Sequence, residues 1–219
     1  MGKEIDLSKT RTFENLLAHE NAVICAAITD MELCEKTPDK TRVINVSATI
    51  ELIKRLNINK THIVFLSTNQ VFDGKKPYQN PYAPRKPINE YGKQKAQVEK
   101  FIENIPNACI LRLSKVIHPD LELLKNWKNS IADRKEIYAF ADMTLSPINI
   151  NEVAKKIDTL VKQKATGIYQ LSGARDITYY EFAQDFAEMN GYSRNLVTKD
   201  TWEGKLGSEP PKYTSMLNV

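Results

Sequence analysis

A chain of 219 residues with 42% hydrophobic side chains is long enough for one large domain, or one and a half, around a real core. Its 31 basic and 27 acidic residues leave a formal charge of +4, too mild and too scattered to track nucleic acid, although compatible with a phosphate-bearing small molecule. No apolar run approaches the roughly 18 residues of a membrane span. The opening MGKEIDLSKT lacks the apolar stretch of a signal peptide. Cys25, Cys34 and Cys109 are an odd number without metal-like spacing, and read as free thiols of a reducing, cytoplasmic compartment.

Short apolar runs alternate with helical patterns along the first half. Ala22–Ala27 reads as a buried strand, Thr41–Leu56 as a helix, His62–Ser67 as a second strand and Asn89–Ile105 as a second helix. Ala108–Leu113 is a third strand and Leu121–Ala132 a third helix. The strands are continuously apolar rather than alternating, which suits a parallel sheet covered on both faces. Strand and helix repeating at this spacing predict a doubly wound, Rossmann-like α/β fold. After Arg134 the texture changes. Ile137–Phe140 is a short strand. Asn151–Gln163 has an apolar helical face in Val153, Ile157, Leu160 and Val161. Gly167–Leu171 is a strand, and Thr178 caps a helix that Asn190 and Gly191 stop after Met189. Tyr192–Val219 reads as loop with at most one short helix. The expected division is a Rossmann-like core over 1–134 and a small α+β substrate-binding part over 135–219, with some segments returning to the core.

Tyr-x-x-x-Lys occurs twice, as Tyr82…Lys86 and Tyr91…Lys95. Nine tyrosines in a lysine-rich chain predict about one such pair by accident. Pro84 and Pro87 place the first pair in a loop. The second follows the last proline of the stretch, with Asn89 as N-cap. Tyr91, Lys95, Val98 and Ile102 share one helix face, which puts a phenol and an ammonium side by side near the core. An ammonium favours the phenolate, so the tyrosine can serve as acid or base toward a carbonyl or alcohol. Thr68, just past a strand at the carboxyl end of the sheet, could polarise the same oxygen, or only cap a loop.

Strand-Ser67-Thr68, then Val71-Phe72-Asp73-Gly74, a proline-containing loop, and Tyr91-Gly92…Lys95…Glu99 resemble extended short-chain dehydrogenase/reductases, nearest the dTDP-4-dehydrorhamnose reductase branch. Softer matches run through Ala26-Ala27-Ile28-Thr29, Cys34-Glu35, Val43–Val46, Leu111–Ser114, Ser146-Pro147 and Gly167–Gly173. The resemblance implies catalytic roles for Thr68, Tyr91 and Lys95. It implies NADP or NAD as cofactor, held by Ala26, Ala27, Thr29, Asn45, Ser67 and Lys95, and a nucleotide-sugar substrate touched by Asn69 and Arg112. Arg112 reads equally as a structural ion pair, and Asn45 as an exposed helix residue. His118 stands where the family has Tyr-Gly-Pro; it would face the nicotinamide pocket or simply sit in a loop.

The departures matter as much. The chain has eight glycines and no G-x-x-G-x-x-G, the turn that lays a helix N-terminus on a pyrophosphate. Met1–Leu7 resembles instead the family's third strand region and Thr10–Glu20 the following helix, so about 30 residues, the size of one βαβ unit, are expected to be missing. An interior strand left at an edge predicts a homo-oligomer, a partner subunit, an unusual edge cover or low stability. Asn69-Gln70 replace the Asp-Glu of sugar-nucleotide dehydratases, and amides cannot titrate. The expected activity is therefore NAD(P)H-dependent reduction of a nucleotide-linked 4-keto sugar. Alternatives are a non-catalytic sugar-nucleotide-binding or regulatory relative, and an epimerase.

Overall fold

The computed structural model describes residues 5–9, 12–13, 16, 19–202 and 210–219. The Thr10–Glu20 helix expected from the sequence falls largely outside them, as do the first four residues of the expected opening strand; the described Asp6–Lys9 forms a turn, Lys9 N–H donating to Asp6 O at 2.9 Å.

Four parallel strands form the main sheet, in the order β1 (Asn21–Ile24), β2 (His62–Thr68), β3 (Ala108–Leu113), β8 (Gly167–Leu171). Their apolar continuity has the predicted cause. Ile63 and Val64 in β2 and Cys109 and Leu111 in β3 have no exposed surface at all, so both faces of the sheet are covered. Leu52, Ile53, Leu56, Val98 and Ile102 pack one face, and Ile148, Val153 and Leu160 the other. No described strand pairs with the outer side of β1.

Helical structure begins earlier than the pattern foretells. Asp30 caps α1 (Met31–Lys36), accepting from Leu33 N–H. Then α2 (Pro38–Arg42), a π-helical turn over Val43–Ala48 and α3 (Thr49–Ile58) run on without a break. The helix α4 (Glu90–Ile102) follows β2, with Asn89 Oδ1 accepting from Gly92 N–H at 2.7 Å. Three further helices are α5 (Glu122–Ala132), α6 (Ile150–Lys162) and α7 (Tyr179–Met189). Both α6 and α7 open on capping boxes, Asn149 with Glu152 and Thr178 with Glu181.

Packing crosses residue 134 in both directions. Trp127 and Ile131 of α5 bury against Ala183 and Ala187 of α7, Ile137 of β5 (Ile137–Phe140) and Val197 of β10 (Val197–Asp200). Conversely α6 and β8, both in the second half, build the main sheet and its cover. The strand β10, parallel to β5, lies in the stretch read from sequence as loop. Four more short strands complete the fold: β4 (Lys115–Ile117) pairs with β7 (Pro147–Asn149), and β6 (Thr144–Leu145) with β9 (Ile177–Thr178).

The polar carboxyl-terminal segment straps the two parts together. Tyr213 N–H donates to Gly74 O and Leu217 N–H to Gln79 O. Asp176 accepts from the backbone and hydroxyl of both Thr214 and Ser215, at 2.5 to 2.9 Å.

Candidate active site

Loops at the carboxyl ends of β1, β2 and β3 open onto a cleft of about 300 Å³, the place where open α/β sheets take ligands. Thr29 and Met31 line it from the first loop, Thr68, Asn69 and Gln70 from the second, and Ser114, Lys115 and Val116 from the third. Tyr91 enters from α4. Met143, Thr144, Leu145 and Tyr179 come from the second part, and Pro211 and Thr214 from the strap.

Of the residues singled out from sequence, Thr29, Thr68, Asn69 and Tyr91 meet in this cleft. Thr68 both caps and faces it. Its Oγ1 accepts from Gln70 N–H at 3.2 Å, closing the one-turn helix Asn69–Val71, while its own proton has only Asn69 Oδ1 at 3.4 Å. A hydroxyl has two lone pairs and one proton, so capping leaves that proton free for a ligand.

Lys95 lies under the cleft rather than in its wall. It is 3% exposed, donates to Leu66 O at 2.9 Å and sits 4.6 Å from the centre of the Phe65 ring. Burial pushes its pKa down to about 8, against the opposing pull of Glu99 and of Cys25. Tyr91 is not the low-pKa phenol the spacing implies. Burial drives it well above the usual tyrosine range, with Cys34 adding to the shift. Desolvation outweighs any help from the ammonium, which is turned toward the β2 backbone.

Asn45 is 2% exposed, not on the helix surface, and belongs to the π-helical turn. Its Oδ1 accepts from Ile28 N–H at 2.7 Å and its Nδ2 donates to Ile28 O and to Gln94 Oε1. It therefore clamps the peptide between Ala27 and Thr29, fixing the loop whose Ala26 is open to solvent. Gln94, which the sequence reading passed over, completes the clamp by donating to Thr41 Oγ1 at 2.9 Å.

Ser67 and Arg112 point elsewhere. Ser67 Oγ donates to Glu99 Oε1 at 2.5 Å. Arg112 is 1% exposed, with two guanidinium nitrogens on the Glu99 carboxylate and the third on Pro81 O and Gln170 Oε1. Arg85 reaches the same Glu99 and also Glu103. The substrate-phosphate role for Arg112 thus gives way to the structural ion pair: each of its nitrogens is engaged before any ligand arrives. His118 is not among the cleft residues; its carbonyl accepts from Leu121 N–H ahead of α5.

Lys115 and Tyr179 are the functional candidates that sequence reasoning missed. Lys115 directly follows Ser114 past the end of β3, and that position was the available signal. Tyr179 opens α7, and nothing in its spacing distinguishes it from a core aromatic. The three cysteines are free. Among the described residues no cluster of histidine, cysteine and carboxylate could hold a metal ion, and no helix is long and apolar enough to cross a membrane.

A parallel Rossmann-like sheet, a threonine at the end of one strand and a Tyr-x-x-x-Lys on the following helix define an extended short-chain dehydrogenase/reductase-like protein. The model of one family in that class, the RmlD substrate binding domain, matches residues 2–218, and the chain belongs to it. It is 27% identical over 206 residues to the probable low-salt glycan biosynthesis reductase Agl14 of Haloferax volcanii, covering 89% of this chain and 68% of that protein. It is 25% identical over 209 residues to methionine adenosyltransferase 2 subunit beta of Rattus norvegicus, covering 89% of this chain but only 61% of the relative. In fold it matches the crystal structure of a dTDP-4-dehydrorhamnose reductase from Bacillus anthracis in complex with NADP, with a TM-score of 0.90 and 24% identity over 98% of this chain and 79% of that one.

Proposed function

We propose that the chain reduces the keto group of a nucleotide-linked 4-keto sugar, with NADPH or NADH as cofactor. The observation that carries this reading is the meeting of the Tyr91 phenol and the Thr68 hydroxyl in one cleft at the carboxyl ends of the sheet. Membership of the family supports it, as does likeness to a relative named as a glycan biosynthesis reductase.

The residues present fit the ring-and-ribose end of the cofactor. Ala26, Ala27 and Thr29 form a loop pinned through Ile28, and Lys95 has one described acceptor, Leu66 O, for its three donor positions. That ammonium would hold the ribose. The sequence carries no G-x-x-G-x-x-G to grip a pyrophosphate. When bound, the reduced nicotinamide supplies a hydride to the keto carbon. Thr68 donates a hydrogen bond to the keto oxygen and fixes its direction. Tyr91, kept protonated by burial, gives its proton to that oxygen as negative charge develops. Asn69 and Gln70 line the same cleft and cannot exchange protons, which separates this reading from dehydration.

Oxidation of the reduced nicotinamide, followed with a panel of nucleotide-linked 4-keto sugars, tests the proposal. Tyr91→Phe is expected to lower turnover by about 10²-fold or more while leaving the melting temperature unchanged. Equal turnover by the variant would end the reading. A second reading, a sugar-nucleotide binder without turnover, is favoured by similarity to a protein named as a subunit of another enzyme. It expects sugar-nucleotide binding with no change in nicotinamide fluorescence on titration with NADH or NADPH.

A further inference from the structure

The cleft contains a cation that the proposed chemistry does not use. Lys115 follows Ser114 at the carboxyl end of β3 and lines the cleft with Tyr91 and Thr68. It is half-buried, and among the described residues its ammonium has neither an ion-pair partner nor a hydrogen bond. The three arginines near α4 are engaged: Arg42 with Glu90, Arg85 with Glu99 and Glu103, Arg112 with Glu99. The described lining of the cleft includes no aspartate or glutamate. Behind its wall, Asp176 is already taken up by Thr214 and Ser215.

A half-buried ammonium without a counter-charge is costly to keep, and an anion delivered to it by a ligand recovers that cost. Burial already pulls the Lys115 pKa below the usual lysine value, the expected mark of a charge lacking a partner. A second donor faces the same space. The Tyr179 phenol is pushed up to about 12 by burial, so it remains an O–H donor at working pH. An ammonium and a neutral phenol lining one cleft, with no carboxylate in its described lining, form a pair of donors suited to an oxyanion.

We propose that Lys115, seconded by Tyr179, binds an anionic group of the ligand, a carboxylate on the sugar or a phosphate of its nucleotide. The inference deepens the proposed function only in taking the ligand to be a nucleotide sugar. It does not depend on turnover.

Calorimetric titration of the full chain with UDP, UDP-glucose and UDP-glucuronate, and with their thymidine counterparts, tests it on wild type, Lys115→Met and Lys115→Arg. Methionine keeps the buried stem, and an unchanged melting temperature shows that the variant folds. If the anion is a sugar carboxylate, wild type prefers the glucuronate over the glucose form by about 10- to 100-fold. Lys115→Met then erases that preference without weakening the plain diphosphate, and Lys115→Arg retains most of it. If the anion is the diphosphate, Lys115→Met weakens all three ligands of a series by a similar factor. Affinities that Lys115→Met leaves unchanged, or a wild-type chain that binds none of the probes, would overturn the proposal. Binding that depends on Lys115 in a chain that reduces no keto sugar would uphold this site and refute the reductase reading alone.

Discussion

Lys95 carries its ammonium to a position only 3% exposed, against the face of Phe65 and one hydrogen bond from Leu66 O. Its pKa falls from 10.5 to about 8, which has a definite sign in stability. Between those values the unfolded chain binds the proton and the folded chain has lost it, so stability rises with pH across that window. The burial cost is fully present below about pH 8 and is relieved toward about pH 10.5. Lys95→Met should therefore gain stability relative to wild type at neutral pH. That advantage should shrink by about 2 kcal/mol between about pH 7.5 and pH 10, as read by denaturant unfolding. An advantage independent of pH would show that Lys95 keeps an ordinary pKa. Turnover has the opposite dependence. The charge at Lys95 fades above about pH 8, so kcat/KM for the keto sugar should decline there, even though Tyr91 still holds its proton. The tyrosine and lysine were legible from their spacing because helical periodicity fixes which residues share a face. Their pKa values were not, because burial depends on what packs above them, which the pattern does not encode.

At the scale of elements, α4 owes its placement to residues around Tyr91 and Lys95. Asn89 caps the helix and also donates to Gln70 Oε1 at 2.7 Å, joining its first turn to the one that carries Thr68. Gly92 lets the two approach. A Cβ there would lie 2.1 Å from Gln70 O and 2.9 Å from Gln70 C, both backbone atoms. Helix propensity alone would reward Gly92→Ala by about 1 kcal/mol. The collision instead predicts a loss of about 1 to 3 kcal/mol and a fall in turnover, as the phenol moves away from Thr68. A more stable, fully active variant in denaturant unfolding and turnover assays would contradict this. The helix itself, β3, β5 and β8 could be read from apolar patterning, and their bounds fall within a few residues of expectation. The strands β4, β6, β7 and β9 have two or three residues each, too few for any period to register. The helix α1 has six and is set by the Asp30 cap and not by an apolar stripe. Gln94 and Glu99, both 0% exposed, were invisible as core residues, since a pattern scores polar side chains as surface. What makes them interior is a set of partners, Asn45, Thr41, Arg112 and Ser67, brought from distant segments.

Over the whole molecule, the cleft exists because the second half of the chain returns to the first. β8 adds the fourth strand, α6 covers the sheet, and the terminal strap closes the far wall with Pro211 and Thr214. Asp176 ties that strap through two backbone amides and two hydroxyls. Asp176→Asn keeps the shape but exchanges an acceptor-only carboxylate for an amide with two donors. It should cost about 1 to 3 kcal/mol, speed amide hydrogen exchange at Thr214 and Ser215, and weaken nucleotide-sugar binding through loss of the wall. Unchanged exchange at those two amides would show that the strap is held from elsewhere. The fold class was legible from the strands and their order. The strap was not, since its bonds run to groups far away in sequence. The central claim, that Tyr91 and Thr68 serve the reduction of a sugar carbonyl, is tested most directly by isotope transfer. The full chain is incubated with nicotinamide cofactor deuterated at the reactive carbon and with a nucleotide-linked 4-keto sugar, and the sugar product is analysed by mass spectrometry and NMR. One deuterium on the former keto carbon in the wild-type product, absent with Tyr91→Phe, is the predicted result; unlabelled sugar, or equal labelling by both proteins, would contradict it.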